Sequence, residues 1–208
     1  MDLIKINKQN LKEILKDIEE KLNKRKIIVY PTDTVYGLIS NAFDKKCVNL
    51  IFKIKKRPTN KVLPIFIKNF KTAEDFFILN KDQKKLIKKY LPGKVTFIVK
   101  VKENKKKYFP DGVITKDGKV GFRIPNFIFL NKLLSRLKFP LTSTSANISG
   151  NKDLLDIKEV IKEFKNKKYK PNLILDFGKL KKSLPSTVLD ISEYPPKIEI
   201  KRKGAIKI

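Results

Sequence analysis

The chain has 208 residues, 41% of them hydrophobic, and carries 49 basic against 21 acidic side chains for a net charge of +28. That length suits one domain with a real core, or at most two small ones. No apolar run approaches the roughly 18–20 residues of a membrane-crossing helix, and with no histidine and the single Cys47, a serine–histidine triad, a zinc–histidine centre and an internal disulfide are all excluded.

The predicted elements follow in chain order. Leu11, Ile14, Leu15, Ile18 and Leu22 recur at helical spacing, which predicts an amphipathic helix over residues 8–24. Ile27 to Tyr30 reads as a buried strand that runs into "PTDTVYGL". Val48, Ile51, Phe52 and Lys55 fit a helix from Asp44 that ends near Lys56, because Pro58 follows. "LPIFI" is a strand, residues 72–77 and 81–90 are helices, and "VTFIVKV" is a strand entered after Pro92-Gly93. Residues 102–119 are polar, with Asp111-Gly112 and Asp117-Gly118 as turn signals, and predict an exposed loop or hairpin. Then come the strand "KVGFRI", a helix over 127–137, a short buried strand in "PLTSTSAN", a helix over 156–164, and the late strands "NLILDFG", "STVLDIS" and "KIEIKR". Strands mixed with helices along the whole length predict a single α/β domain over residues 1–208, with a mixed sheet. Hairpin signals and closely spaced late strands argue against a wholly parallel sheet. The lone cysteine fits a reducing compartment, and the N-terminus lacks a signal-peptide pattern, so the expected location is the cytoplasm, with no membrane partner.

In open α/β folds ligands bind beyond strand ends. Strands run into small polar residues at "PTDTVYGL", "LTSTSANISG" and "PSTVLDI". Each cluster alone reads equally as a helix cap or an Asx turn. Lysine supplies most of the charge, and AT-rich coding accounts for such a bias. The chain has five arginines, Arg25, Arg57, Arg123, Arg136 and Arg202. A chain that defaults to lysine keeps arginine where a flat, two-pronged donor is needed, against carboxylate or phosphate. Lys55 and Arg57 in "KIKKRP" read as a phosphate clamp or as a cationic helix end that complements the dipole. Neither a Walker loop nor a GxGxxG fingerprint is present.

The ordered set "YPTDTVYGL", "KKRP", "LPGKVTFIV", "FRIP", "STSANISG", "STVLDI" and "KRKGAI" resembles the YrdC-like family of threonylcarbamoyladenylate synthases, in its short single-domain form. The resemblance implies a twisted mixed α/β sheet with helices around a basic cavity, in which L-threonine, bicarbonate and ATP, normally with Mg2+, give threonylcarbamoyl-AMP and pyrophosphate. A tRNA threonylcarbamoyl transferase system then uses the product beside the anticodon. Carried over position by position, Lys55 and Arg57 match the family's Lys-x-Arg pair and stand as catalytic residues. Together with Ser145 and Asn147 of a Ser-x-Asn pair they are associated with the ATP phosphates and metal. Arg202 resembles a nucleotide-contacting arginine, and Thr32, Arg123, Ser143 and Ser186 resemble threonine-site residues, with no protein metal ligand assigned. Phe66 stands where family members often have histidine, Lys203 where proline is common, and Asp33 where glutamate is common. The alternative reading is a paralogue that binds tRNA or double-stranded RNA. A carbamoyl-transfer domain from hydrogenase maturation fits poorly, because the cysteines and length of those proteins are missing here.

Overall fold

The computed structural model describes residues 1–6, 10–195 and 197–208. These form two mixed sheets rather than one. The first runs in the order β1 (Asp2–Lys5), β9 (Leu173–Asp176), β2 (Ile28–Tyr30), β3 (Gly37–Ile39), β8 (Thr144–Ser145). The second runs β11 (Glu199–Arg202), β10 (Thr187–Asp190), β5 (Val95–Lys100), β6 (Lys119–Arg123), β4 (Ile65–Phe66), β7 (Leu141–Thr142). Both contain parallel and antiparallel pairs, as the hairpin signals predict: β2 is antiparallel to β3 and parallel to β9, while β5 is antiparallel to β6 and parallel to β10.

Strand alternation builds two cores. On β2, Ile28 and Tyr30 face α1 (Leu11–Asn23) and α5 (Ile128–Arg136), packing with Ile18, Leu22, Leu130 and Leu133. Val29 belongs to the larger core on the other side, with Leu38, Phe97, Phe122 and the apolar stripe of α2 (Lys45–Lys55). The side-chain period of two explains why neighbouring residues of one strand serve different cores. The start predicted for α1 at Lys8 lies outside the described residues; from Leu11 onward the helix follows the periodicity. Three further helices are α3 (Phe70–Phe76), α4 (Lys81–Tyr90) and α6 (Ile157–Phe164). Asn80 and Gln83 close a reciprocal capping box at the start of α4.

Residues 102–119 differ from the predicted exposed loop. A 3-10 turn at Glu103–Tyr108 leads to Phe109 and Val113, both buried, and Leu63 N–H donates to the Gly112 carbonyl at 2.6 Å. Phe109 packs against Phe43, Phe76 and Phe77, so the polar composition hides an aromatic anchor. None of this segment lines the cavity described below.

One connection positions everything that follows. The chain passes from β7 in the second sheet to β8 in the first through the single residue Ser143. Ser143 N–H donates to the Pro64 carbonyl at 2.7 Å, just before β4. The two sheets therefore meet at a seam, where the ends of β3, β4, β6, β8 and β10 come together.

Candidate functional site

A cavity opens at this seam, lined by Thr32, Thr34, Val35, Gly37, Arg57, Pro64, Phe66, Arg123, Ser143, Thr144, Ser145, Pro185, Ser186 and Arg202. All three hydroxyl clusters noted in the sequence reach it, and so do three of the five arginines. The other two arginines pair elsewhere: Arg25 with Asp44 at 2.5 Å and Arg136 with Glu19 at 2.6 Å.

The opening cluster forms the β2–β3 connection, whose ends are pinned by the pairing of Tyr30 with Gly37. Thr32 Oγ organises the turn. It accepts from Thr34 N–H at 3.0 Å and Val35 N–H at 3.2 Å, and donates to the Val35 carbonyl at 2.7 Å. The hydroxyl expected to hold threonine is thus already committed to shaping the loop that carries Thr34 to the cavity wall. Gly37 permits a close approach: a Cβ there would lie 3.1 Å from the Thr144 carbonyl across the β3–β8 pair, tighter than an ordinary contact.

Arg123 ends β6 beside Phe66 in register, with its guanidinium 5.9 Å from the Phe66 ring centroid. It is buried, and its fork is not open. Nε donates to the Gly93 carbonyl at 2.6 Å and Nη2 to Asp33 Oδ2 at 2.6 Å, with Thr34 Oγ 3.4 Å from Nη1. The two parallel bonds expected to clamp a substrate carboxylate are replaced by this ion pair, because Asp33 is carried in on the Thr32 turn. The second hydrogens of Nη1 and Nη2 remain for a ligand.

Arg57 and Arg202 come from different ends of the chain. Arg57 follows α2, whose C-cap Lys56 adopts a left-handed conformation at φ 47° and turns the chain. Its Nε donates to the Lys61 carbonyl at 2.9 Å and Nη2 to the Val62 carbonyl at 3.0 Å, and Nη1 has no hydrogen-bond partner among the described residues. Arg202 ends β11 and holds the Ser186 carbonyl through Nε at 3.0 Å and Nη2 at 2.8 Å. Ser186 Oγ also meets Thr96 Oγ at 2.9 Å. Gly204 lets this segment lie flat on β10, since a Cβ would sit 2.4 Å from the Pro185 carbonyl. Burial lowers the pKa of all three arginines, and Arg202 lowers those of Arg57 and Arg123 further. The cations repel one another across the cavity, a cost that an anion would relieve.

Lys55 and Asn147 stand apart from the cavity lining. Lys55 is buried, and its ammonium donates to the Ser145 carbonyl at 2.5 Å, the Asn147 carbonyl at 2.8 Å and Asn147 Oδ1 at 2.9 Å. All its protons are spent on the protein, so it is a post under the Ser145–Asn147 segment rather than a mobile point charge. The left-handed Lys56 explains the split: it sends Lys55 and Arg57 in different directions. Asn147 in turn accepts from Ser145 Oγ at 2.7 Å. Residues that sequence reasoning passed over include Thr34, Thr144, Pro64 and Thr96; alternation of Thr34 and Thr144 with assigned hydroxyls was the available signal.

Among the described residues no group of three His, Cys, Asp or Glu side chains is placed to hold a metal ion. Asp33, the carboxylate in direct contact with Arg123, is paired with it. These donors do not make a protein-held magnesium site.

Comparison with known proteins adds four findings. A model of the Sua5, YciO and YrdC family, described as telomere recombination, matches residues 20–204. A protein of Methanocaldococcus jannaschii, provisionally named a threonylcarbamoyl-AMP synthase, is 35% identical over 206 residues, covering 99% of this chain and 93% of that one. The threonylcarbamoyl-AMP synthase of Pyrococcus abyssi is 32% identical over 179 residues, and the match spans 84% of this chain but 50% of that longer one. The crystal structure of P. abyssi Sua5 complexed with L-threonine superposes with a TM-score of 0.81 at 27% identity, over 98% of this chain and 57% of that one.

Proposed function

The chain belongs to the Sua5, YciO and YrdC family, and we propose that it is a threonylcarbamoyl-AMP synthase, a nucleotidyltransferase acting on ATP, L-threonine and bicarbonate. The carrying observation is the convergence of Arg57, Arg123 and Arg202 with hydroxyls from three strand ends in one cavity. Two relatives that bear this activity as a name, one of them provisionally, match 99% and 84% of the chain.

The chemistry asks for such a site. Threonine's amine and bicarbonate combine, with loss of water, to a carbamate. A carbamate oxygen then bonds to the α-phosphorus of ATP as the bridge to the β-phosphate breaks, releasing pyrophosphate. An anion attacks an anion, and charge grows on the leaving group. Fixed guanidinium donors stabilise that charge without needing to reorganise. Arg57, with Nη1 unengaged, and Arg202 fill this role. No histidine base is needed, because positioning brings the reactants together. Arg123, held by Asp33, offers its remaining hydrogens to the amino acid. Magnesium enters as part of the nucleotide substrate, which matches its habit of binding through phosphates. The product would pass to a tRNA threonylcarbamoyl transferase system.

Purified protein with ATP, threonine, bicarbonate and magnesium is expected to release pyrophosphate only when threonine is present, with threonylcarbamoyl-AMP detected by mass spectrometry. Folded protein that shows no threonine-dependent release overturns the reading.

A further inference from the structure

The segment that carries Ser145 to the cavity is suspended between two charged residues, and one of them lies outside every motif quoted above. From the inner side, Lys55 donates to the Ser145 and Asn147 carbonyls and to Asn147 Oδ1. From the outer side, Glu163 Oε1 on α6 accepts from Ile148 N–H at 2.8 Å and Asn151 Nδ2 at 2.8 Å. Asn147 Nδ2 closes the loop on itself, donating to the Asn151 carbonyl at 2.6 Å and the Lys152 carbonyl at 3.2 Å. Ser149 N–H returns to the Lys55 carbonyl at 2.8 Å.

This wiring fixes more than position. The Asn151 and Lys152 carbonyls can only accept, so Asn147 must present its amide nitrogen to the loop and its oxygen to Lys55. The Ser145 hydroxyl, facing that same oxygen at 2.7 Å, spends its proton there. It therefore turns its lone pairs, not a donor, to the cavity. Tilting the loop would lose both the placement and the polarity of that hydroxyl.

We propose that Glu163 is a positioning residue for the nucleotide end of the cavity, acting through the loop from Ser145 to Asn151. The inference rests on the ATP-using reading above. Glu163 does not line the cavity, so its loss removes no ligand contact; it frees two donors that now bond a carboxylate. Such charge-assisted bonds are stronger than neutral ones.

The test uses the full chain with magnesium-ATP as probe. Glu163→Ala is expected to weaken ATP binding by calorimetry about tenfold and to speed amide exchange across residues 145–151. Glu163→Gln, which keeps an acceptor at Oε1, is expected to stay within about twofold. Asn151→Ala, which removes one of the two bonds, serves if Glu163→Ala fails to fold, and is expected to lose a smaller factor. Wild-type affinity in Glu163→Ala overturns the proposal. So does equal weakening in the alanine and glutamine variants, since the acceptor would then not be what matters. ATP binding with this pattern but without threonine-dependent pyrophosphate release sinks the proposed activity and leaves the positioning role standing; a wild-type chain that binds no ATP sinks both.

Discussion

At the scale of single residues, the clearest sequence signal was scarcity. Lysine fills the surface, so +28 of charge locates nothing, whereas Arg57, Arg123 and Arg202 all reach one cavity. What scarcity did not reveal is how much of each guanidinium the protein consumes. Arg57 keeps Nη1 for a ligand. Arg57→Ala is therefore expected to lower kcat/KM by about 2–3 kcal/mol of transition-state stabilisation, roughly 30- to 150-fold. Steady-state kinetics within threefold of wild type would contradict its role. Lys55 gives a second residue-scale test. Burial, then Arg57, lowers its pKa from 10.5 to about 7, outweighing the carboxylates of Asp153 and Glu163, which raise it. The folded value lies below the unfolded one, so between about pH 7 and 10.5 the unfolded chain binds more protons and Lys55's contribution to stability rises with pH. Below about pH 7 both states are charged and the burial cost is felt in full. The urea midpoint of wild type is expected to gain on that of Lys55→Met as pH rises through this window. A difference that stays flat with pH would show that the buried ammonium does not titrate there.

Elements were legible where they were long and periodic. Helix α4 spans Lys81–Tyr90, as its pattern predicts, and the apolar stripe of α2 lies in the larger core. β1 and β3 were not anticipated. β1 is four mostly exposed residues held by parallel pairing to β9, which no local pattern announces. β3 is three buried residues beginning with Gly37, a poor strand former on propensity whose missing side chain leaves room for the Thr144 carbonyl of the paired strand. The split into two sheets was hidden for a related reason: it depends on a single switch residue, Ser143, inside a polar run. The end of α2 offers the element-scale prediction. Lys56 is exposed and left-handed at φ 47°, a conformation that glycine adopts freely. Lys56→Gly is expected to raise stability by about 0.5–1 kcal/mol, read as a higher denaturation midpoint, with Arg57 still aimed at the cavity and activity retained. A lower midpoint would mean that the lysine stem contributes packing that outweighs the backbone penalty.

For the molecule as a whole, the site is a convergence of distant segments rather than a motif. Residue 57 follows a helix, residue 123 ends one sheet strand, and residues 143–145 bridge the sheets. Pro185, Ser186 and Arg202 close the ring, with Arg202 fixed on the Ser186 carbonyl. Local sequence could name these stretches but not show Asp33 inserting into the Arg123 fork, because that contact spans ninety residues and follows from the Thr32 turn. Around this ring lies the field of the entire chain. Its net +28 acts at long range, whereas the donors left on Arg57 and Arg123 act at contact. The two can be separated with salt, since the screening length falls from about 30 Å at 0.01 M to about 8 Å at 0.15 M. ATP is a highly charged anion and is drawn by the field; threonine is a zwitterion with little net charge to steer. Raising ionic strength across that range is expected to cut kcat/KM for ATP several-fold, while KM for threonine shifts less than about twofold. The measurement is a salt series of steady-state rates with each substrate varied in turn. Equal salt dependence for the two substrates would show that the surface lysines do not gather the nucleotide, and that its capture depends on contacts inside the cavity alone.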